Sequence, residues 1–337
     1  MDLRPACHRL FACSVSAPLR RGLGVCALAL LVGAPLLAAD APATAGPPAA
    51  PAITPLVRPT NPTSGPITRG QQIFAVHHSF HQGGFYDVLA AISESAGITG
   101  SLMLGNFYIG GSTVIQHWNG PSGKAAQAAL TAGTVDVLTT TPIYLPDAGI
   151  ENFATLGHQH NPNFRMTVME FWLPFDNYEP GNYIRGPGRV EPPKQVDHNA
   201  ATGDKLRAMH EPYFTAMDQQ IRDLNTKLGA PVVLAVPVGQ AVIALREKIA
   251  AGQVPKLKAQ WDLFTDPLGH PKPALTVLMA YCHYAVIYRQ NPIGLPAPKV
   301  LGEDAAGLNR LLQELAWDAV SHQPLSGVVV APAAAAP

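Results

Sequence analysis

Hydrophobic residues form short continuous runs between about residues 70 and 320, and longer stretches with helical spacing separate these runs. A short apolar run bounded by turn-forming residues is typical of a strand buried on both faces. The predicted strands are Gln72–Val76, Ser101–Leu104, Val135–Thr139, Thr167–Phe171 and Val232–Val236. The predicted helices are Asp87–Ala96, Gly123–Thr131, Ile150–His160, Thr202–Leu228, Gln240–Ala251 and Ala274–Tyr288.

Strands that alternate with helices in this way predict parallel βαβ units. We therefore expect an α/β protein whose domain, residues 69–322, is a three-layer α/β/α structure with a five-stranded parallel sheet of the flavodoxin-like type. In such a sheet, functional groups gather at the carboxyl ends of the strands, near the point where the strand order reverses. The loops that follow the strands are the place to search for a site.

The N-terminal residues predict an export signal. Basic residues precede the apolar run 22–37, and the small residues Ala38 and Ala39 follow it. A basic segment, a short apolar segment and small residues in this order are typical of a secretory signal peptide, here residues 1–39. The run is too short and too interrupted for a spanning helix. We expect a periplasmic or extracellular protein without a stable membrane anchor once the signal is removed.

Three further segments do not fit the strand and helix pattern. Residues 40–68 are rich in proline, alanine and threonine and predict a disordered linker. Residues 323–337 predict a disordered C-terminal tail. Residues 174–201, rich in proline, glycine and asparagine, interrupt the pattern after the fourth strand. A loop of this length inside a domain is either functional or mobile.

Charge and cysteine content exclude some classes of protein. The 337 residues are 47% hydrophobic and 14% charged, with 23 basic and 23 acidic side chains, so there is no basic footprint for nucleic acid. Without residues 1–39 the numbers become 19 and 22, a net charge of −3, which identifies no partner. Cys282 is then the single thiol, so no intrachain disulfide can form and stability must come from the core.

A serine and a distant histidine are the strongest candidates for chemistry. The segment His77-His78-Ser79 follows the first predicted strand at once, and the Ser79 hydroxyl requires a base to be nucleophilic at neutral pH. His270 lies just before the helix predicted at 274–288, and Asp266 precedes it across a Pro-Leu-Gly turn. A carboxylate that orients an imidazole, which in turn activates a serine, is the arrangement used for acyl transfer. We expect the Ser79 hydroxyl and the His270 ring to lie within about 5 Å, with Asp266 or Asp262 beyond the ring.

Oxyanion donors are expected in the loop after the second strand. Gly110 and Gly111 follow the segment 105–109 there, and glycines at a strand-to-helix junction let backbone N–H groups approach a developing negative charge. Asn106, Thr140 and His78 lie in the segments after the predicted strands, and we expect these three polar side chains to bind the oxyanion or the substrate.

Taken together, these residues resemble the SGNH (GDSL-type) hydrolase superfamily over residues 70–300. The resemblance is carried by Ser79 after strand one, by Gly111-Ser112-Thr113 after strand two and by the carboxylate–histidine pair near the end of the domain. It implies the SGNH form of the α/β/α fold, with Ser79 as nucleophile and first oxyanion donor, Gly111 as second donor and His270 as base. It further implies hydrolysis of an ester, with an acylated carbohydrate or another small molecule as substrate and no cofactor.

The chain departs from the family pattern in three places. His77-His78-Ser79 stands where the family has Gly-Asp-Ser or Gly-Asn-Ser, and Thr139-Thr140-Thr141 stands where the family supplies an oxyanion asparagine. Pro267 occupies the position of the family's acid, three residues before the histidine. Asp266 must therefore act from one residue further away, or Asp262 must replace it. These departures leave open a non-catalytic periplasmic binding protein that keeps the fold.

Two other groups of residues have alternative interpretations. Neutral imidazoles bind zinc or copper, and His77 and His81 would share a face if the turn between them is helical, but the sequence contains no His-Glu-x-x-His motif. We therefore predict no metal site. Glu170, Trp172 and Trp118 would line a sugar or ester pocket, although buried packing is the more common role of such aromatic residues.

Overall fold

A five-stranded sheet organises the chain, which is described from a computed structural model over residues 60–62, 65–81, 84–176 and 196–329. All of these residues belong to one compact unit, Val57–Pro337. The strands are β1 (Gln72–His77), β2 (Leu102–Tyr108), β3 (Val137–Thr140), β4 (Arg165–Met169) and β5 (Val233–Val236). Every pairing between neighbouring strands is parallel, in the order β2-β1-β3-β4-β5. The fold class predicted from the sequence is confirmed.

The strand order reverses at β1. The chain passes from β1 to the edge strand β2, returns past β1 to β3, and continues to β4 and β5. The segments that leave β1 and β3 therefore diverge, and an open α/β sheet has its crevice at this point. Thr141 follows β3 directly, and Ser79 follows β1 after one residue, His78.

The described residues form eight α-helices. They are α1 (Phe85–Ser95), α2 (Val114–Asn119), α3 (Pro121–Thr131), α4 (Ala148–His160), α5 (Gly203–Leu228), α6 (Val238–Ala250), α7 (Pro273–Tyr288) and α8 (Ala306–His322). Helix α7 packs against both α1 and α8, whereas α2, α3 and α4 pack against one another in a second group. The sheet is therefore the middle of three layers. Helix α7 is buried along nearly its whole length and forms the centre of the core.

One carboxylate organises the beginnings of two helices. Asp147 is the N-cap of α4, where its Oδ1 accepts from Gly149 N at 2.8 Å, and it also accepts from the Val114 and Ile115 N–H groups at the start of α2. These bonds satisfy donors that helix ends otherwise leave unpaired. Gly149 packs so closely on α2 that a Cβ atom there would lie 2.4 Å from Ile115 N. Only glycine allows the two helix ends to share this cap.

Several predicted boundaries were wrong. Residues 105–108, interpreted as a loop after the second strand, continue β2, and Asn106 pairs with Ala75 of β1. Strand β4 begins at Arg165, two residues before the prediction, because its guanidinium is buried and donates to Ile287 O and Gln71 Oε1. Helices α2 and α8 were not predicted, so the helix at 273–288 is not the last one.

The packed domain is longer than the predicted 69–322. Ile67, assigned to the linker, is 1% exposed and donates its N–H to Tyr288 O at 2.7 Å. Leu325, assigned to the tail, accepts a backbone hydrogen bond from Ala235 of β5 at 3.0 Å. The predicted signal peptide and most of the predicted linker and tail lie outside the described residues. Among the helices of the described ranges, none is long and apolar enough to cross a membrane.

A buried ion pair joins the two ends of the segment 177–195. The Arg246 guanidinium donates to both carboxylate oxygens of Asp176 at 2.6 Å, and it also donates to the His198 carbonyl at 2.8 Å. The His198 ring lies 2.7 Å from Asp176 Oδ2. The hydrogen bonds lower the pKa of Asp176 although burial alone would raise it. Both ends of the segment are therefore fixed to α6.

Candidate active site

Ser79 stands at the first turn after the central strand. Strand β1 ends at His77, and one turn of 3₁₀ helix, Ser79–His81, follows it. The turn is anchored to His78, because the His81 N–H donates to His78 O and the Phe80 N–H donates to His78 Nδ1. His78 and Phe80 are buried, whereas Ser79 is only half-buried. The hydroxyl is thus held at the crevice where the strand order reverses.

Ser79, His270 and Asp266 form a continuous chain of hydrogen bonds. The Ser79 Oγ lies 2.8 Å from His270 Nε2, and the His270 Nδ1 lies 2.5 Å from Asp266 Oδ2. The first distance is within the range that proton transfer requires, and well inside the predicted 5 Å. Residues 191 positions apart in the chain are brought together as the sequence predicted.

The choice between the two aspartates is settled by geometry. Asp266 Oδ1 accepts from the backbone N–H groups of Gly269 and His270, so the turn folds back around this carboxylate. Burial alone would raise the pKa of Asp266, but the bonds from His270 and Gly269 lower it, and the carboxylate remains ionised beside the ring. Asp262 instead accepts from the Lys258 and Ala259 N–H groups through Oδ2. The alternative with Asp262 beyond the ring was wrong.

The residues after β4 hold the His270 loop. The Trp172 indole N–H donates to Gly269 O at 2.8 Å, and the Phe175 N–H donates to Leu268 O at 3.1 Å. The Trp172 ring stacks on Phe80 with centroids 4.7 Å apart, and Phe80 in turn packs edge-on against His270. Trp172 therefore links the Ser79 turn to the His270 loop. The sequence indicated burial for this tryptophan, but it carried no signal for this bridge.

A buried histidine fixes the loop after β2. The His117 Nε2 lies 3.2 Å from His77 O and 2.8 Å from Ser112 Oγ, and its Nδ1 lies 3.0 Å from Ser122 Oγ. Because a carbonyl only accepts, Nε2 carries the hydrogen and Nδ1 accepts from Ser122. Burial lowers the pKa of His117 to about 4, so the ring is neutral. This ring ties Ser112 to the end of β1.

Gly111 lies next to Ser112 in that loop, with a φ of +65° that favours glycine. It is exposed. Within the described part of the chain, neither the Gly111 N–H nor the Ser79 N–H has an acceptor. Both backbone donors that the sequence nominated are therefore available at this edge of the sheet.

Within the described residues, none of the other three nominated side chains hydrogen-bonds to Ser79 or His270. Thr140 is fully buried within β3, where its backbone pairs with Val76 and Val168. The Asn106 Oδ1 lies 2.7 Å from His77 Nε2, because Asn106 belongs to β2 rather than to a loop. His78 is buried against Phe80 and Phe171, and burial lowers its pKa to about 3. These three residues thus surround the hydrogen-bond chain from Ser79 to Asp266 without belonging to it.

Two buried histidines near Ser79, His81 and His283, form hydrogen bonds with each other and with neighbouring groups. His283 Nδ1 donates to Met279 O, so its Nε2 accepts from His81 Nε2 at 3.2 Å, and His81 Nδ1 accepts from Thr141 Oγ1 at 2.8 Å. Burial lowers the pKa of both rings, that of His283 to about 4. Within the described residues, no group of three or more His, Cys, Asp or Glu side chains is placed to hold a metal ion.

The remaining candidates are packed inside the protein. Glu170 is fully buried at the end of β4 and accepts from Gln240 and Gln323. Trp118 packs edge-on against Phe153.

A cavity of about 450 Å³ is lined by residues of α5, α6 and α8, and neither Ser79 nor His270 lines it.

The fold and the site together define an α/β protein with a Ser–His–Asp arrangement at the reversal point of a parallel sheet. No protein-family model matches the chain, and no curated protein matches it. Among solved structures, the chain is similar to a DUF4886 family protein from Bacteroides uniformis, with 13% identity and a TM-score of 0.48. That similarity covers 75% of this chain and 95% of the other. It carries no argument about function.

Proposed function

We propose that this protein is an exported serine ester hydrolase of the SGNH type. The observation that carries the proposal is the chain of hydrogen bonds from Ser79 Oγ through the His270 ring to the Asp266 carboxylate. A serine needs an adjacent base, and that base needs an orienting group; both needs are met here. The strand order and the position of Ser79 after β1 support the SGNH assignment as the resemblance implied it.

The proposed reaction proceeds in two stages. The Ser79 Oγ attacks the ester carbonyl carbon while His270 Nε2 takes the hydroxyl proton, and Asp266 stabilises the resulting imidazolium. The tetrahedral intermediate collapses when the bond to the alcohol oxygen breaks, and His270 delivers its proton to that oxygen. Water, deprotonated by His270, then attacks the acyl-serine; the bond between the acyl carbon and Ser79 Oγ breaks, and His270 returns the proton to that oxygen as the acid leaves. Hydrolysis regenerates Ser79 without any cofactor.

Negative charge on the carbonyl oxygen requires donors in the proposed intermediate. The N–H groups of Ser79 and Gly111 have no acceptor within the described residues, which supports their use for this purpose. His117 supports the same role indirectly, because it holds the neighbouring Ser112 against the end of β1. The missing oxyanion asparagine of the family is not replaced by Thr140, whose side chain is enclosed in the sheet.

Labelling with a fluorophosphonate probe tests the proposal. We expect the wild-type protein to be labelled at Ser79, and we expect Ser79→Ala and His270→Ala to abolish labelling while circular dichroism shows an intact fold. Ser95→Ala is the matched control, because Ser95 is an exposed helical serine that bonds only to Ile92 O. Equal labelling of wild type and Ser79→Ala would reject this nucleophile. Binding of a small molecule without any labelling would favour the non-catalytic binding protein.

Export is tested separately. Because residues 1–39 resemble a signal peptide, we expect cleavage close to Ala39. The mature chain would then have Cys282 as its single thiol. Mass spectrometry of the protein recovered from the periplasm or medium should show this shortened N-terminus. Recovery of an intact Met1 terminus from the cytoplasmic fraction would contradict export.

A further inference from the structure

A pocket of about 320 Å³ lies between the Ser79 turn, the start of α1 and the end of β2; we call it the β2 pocket. Aromatic rings form most of its wall: those of Phe85, Tyr86 and Tyr108, together with the imidazoles of His77 and His81. Neither Ser79 nor His270 lines it, and the mechanism described above does not use it.

Two residues that line the pocket flank Ser79 in the chain. His77 and His81 are each two residues from Ser79, one at the end of β1 and the other at the end of the 3₁₀ turn. The sheet order places β2 on one side of β1 and β3 and β4 on the other. His270 is held from the β4 side, through Trp172. The pocket is therefore bordered by β2, whereas the loop that carries the base is held by a residue that follows β4.

The charges around the pocket select against anions. None of its lining residues is a lysine or an arginine. Burial lowers the pKa of His77 and of His81, so both rings are neutral at pH 7. The one lining residue with a formal charge is Asp87, which is exposed at the rim. A carboxylate or phosphate would find no counter-charge here, whereas a neutral group would.

Three of the lining residues, Tyr86, Asp87 and Asn106, carry polar side chains, and all three also border a second pocket beside Ser101 and Tyr288. The Tyr86 hydroxyl is buried and has no partner within the described residues, and burial raises its pKa well above the usual value, so it keeps its proton. A buried hydroxyl without a partner is costly, and a ligand oxygen would remove that cost. The Asn106 amide, held by His77, and the Asp87 carboxylate add further polar atoms.

We propose that the β2 pocket binds the acyl part of the ester, and that this acyl group carries a hydroxylated aromatic ring. The aromatic wall favours a flat ring through edge-to-face and offset contacts. The Tyr86 hydroxyl and the Asp87 and Asn106 side chains recognise the ring's hydroxyl group. The proposal rests on the proposed esterase function and names its substrate class.

The direction of proton transfer supports an acyl pocket. His270 must give its proton to the oxygen of the departing alcohol, so the alcohol lies on the side of His270. The carbonyl carbon is bonded to Ser79 in the intermediate, which leaves the acyl substituent to extend away from the base. The β2 pocket is bordered by β2 and not by the loop that carries the base, and 320 Å³ is enough for a single substituted ring.

Three esters with one leaving group form the test: the 4-nitrophenyl esters of 4-hydroxycinnamic acid, cinnamic acid and acetic acid. We expect kcat/KM to be highest for the hydroxylated ester. Tyr86→Phe should lower kcat/KM for that ester about tenfold, the size of one lost hydrogen bond, and leave cinnamate and acetate within about twofold. Tyr284→Phe is the matched control, because its hydroxyl bonds to Gln290 and does not line the pocket.

Several outcomes would overturn the proposal while leaving the esterase function intact. One is a preference for acetate with no selective effect of Tyr86→Phe. Another is competitive inhibition by a methyl glycoside without any preference among the acyl groups, which would assign the pocket to a sugar.

Failure of the esterase function itself gives a different pattern, in which no ester is hydrolysed and no probe labels Ser79. Calorimetry then measures whether the Ser79→Ala protein binds 4-hydroxycinnamide, which tests the β2 pocket independently of ester hydrolysis. Binding that Tyr86→Phe weakens about tenfold would support it, and absence of binding would reject it.

Discussion

Glu170 gives the stability of this protein a defined dependence on pH. Its carboxyl group is fully buried at the end of β4. Burial, with a smaller contribution from the nearby Asp218, raises its pKa to about 8 against the lowering effect of hydrogen bonds from Gln240 and Gln323. The group is therefore protonated in the folded protein at neutral pH, whereas in the unfolded chain it is ionised above about pH 4.5.

The sign and size of the effect follow from these two values. Between pH 4.5 and 8 the folded state binds more protons than the unfolded state, so stability falls as pH rises. Below pH 4.5 Glu170 is protonated in both states, so no stability is lost. Above pH 8 it is ionised in both states, and the loss of stability is complete. A difference of about 3.5 pKa units corresponds to about 5 kcal/mol in full, of which about 4 kcal/mol falls between pH 5 and pH 9.

Urea unfolding of the wild type and of Glu170→Gln at pH 5, 7 and 9 measures this effect. The glutamine has nearly the same shape and no titration, so other groups cancel in the difference between the two proteins. We expect the variant to gain about 4 kcal/mol relative to the wild type between pH 5 and pH 9. Parallel stability profiles across that range would refute a raised pKa for Glu170.

Three further outcomes follow from the contacts described above. Asp266→Asn should lower kcat/KM for an ester substrate about 10³- to 10⁴-fold, because the ring loses its orienting acceptor, whereas Asp262→Asn should leave it nearly unchanged. Steady-state kinetics would show equal losses if that assignment were mistaken. Trp172→Phe keeps an aromatic ring but removes the N–H, and we expect kcat to fall about fivefold together with a loss of about 1–3 kcal/mol of stability, because Gly269 O is left buried without a donor; an unchanged kcat would mean that this bond does not position the base. Arg246→Met should destabilise the protein by about 3–5 kcal/mol in urea, because it leaves a carboxylate buried and unpaired, against less than about 1 kcal/mol for the exposed Arg310→Met. Equal losses of stability for Arg246→Met and Arg310→Met would show that burial of the Asp176–Arg246 ion pair does not make it more important than an exposed one.

The sheet was predictable because its strands are buried on both faces. Runs such as 72–76 and 232–236 are apolar without alternation, and such runs have few alternatives to a parallel strand. Strand β2 was harder, since an edge strand is half-exposed and its Gly105-Asn106 pair is typical of a turn. The start of β4 was missed because an arginine at a strand end indicates solvent, whereas Arg165 is buried and paired with backbone and amide oxygens.

The Ser79–His270 contact was predictable for a topological reason. Ser79 follows β1, and His270 precedes α7. Both positions lie at the same edge of the parallel sheet, so their separation along the chain does not keep them apart. The supporting residues were not predictable in this way. Trp172, His117 and Tyr86 acquire their roles only from the partner that the fold sets against each polar atom, and that partner leaves no local signal in the sequence.

The pairing of Asp176 with Arg246 and His198 has a consequence for engineering. It fixes the two ends of residues 177–195 independently of what lies between them. The entropy of closing such a loop grows slowly, by about 0.6 kcal/mol for each doubling of its length. A sequence grafted between Asp176 and His198 would therefore leave the contacts of these two residues with Arg246 of α6 in place, and the core would keep both anchors.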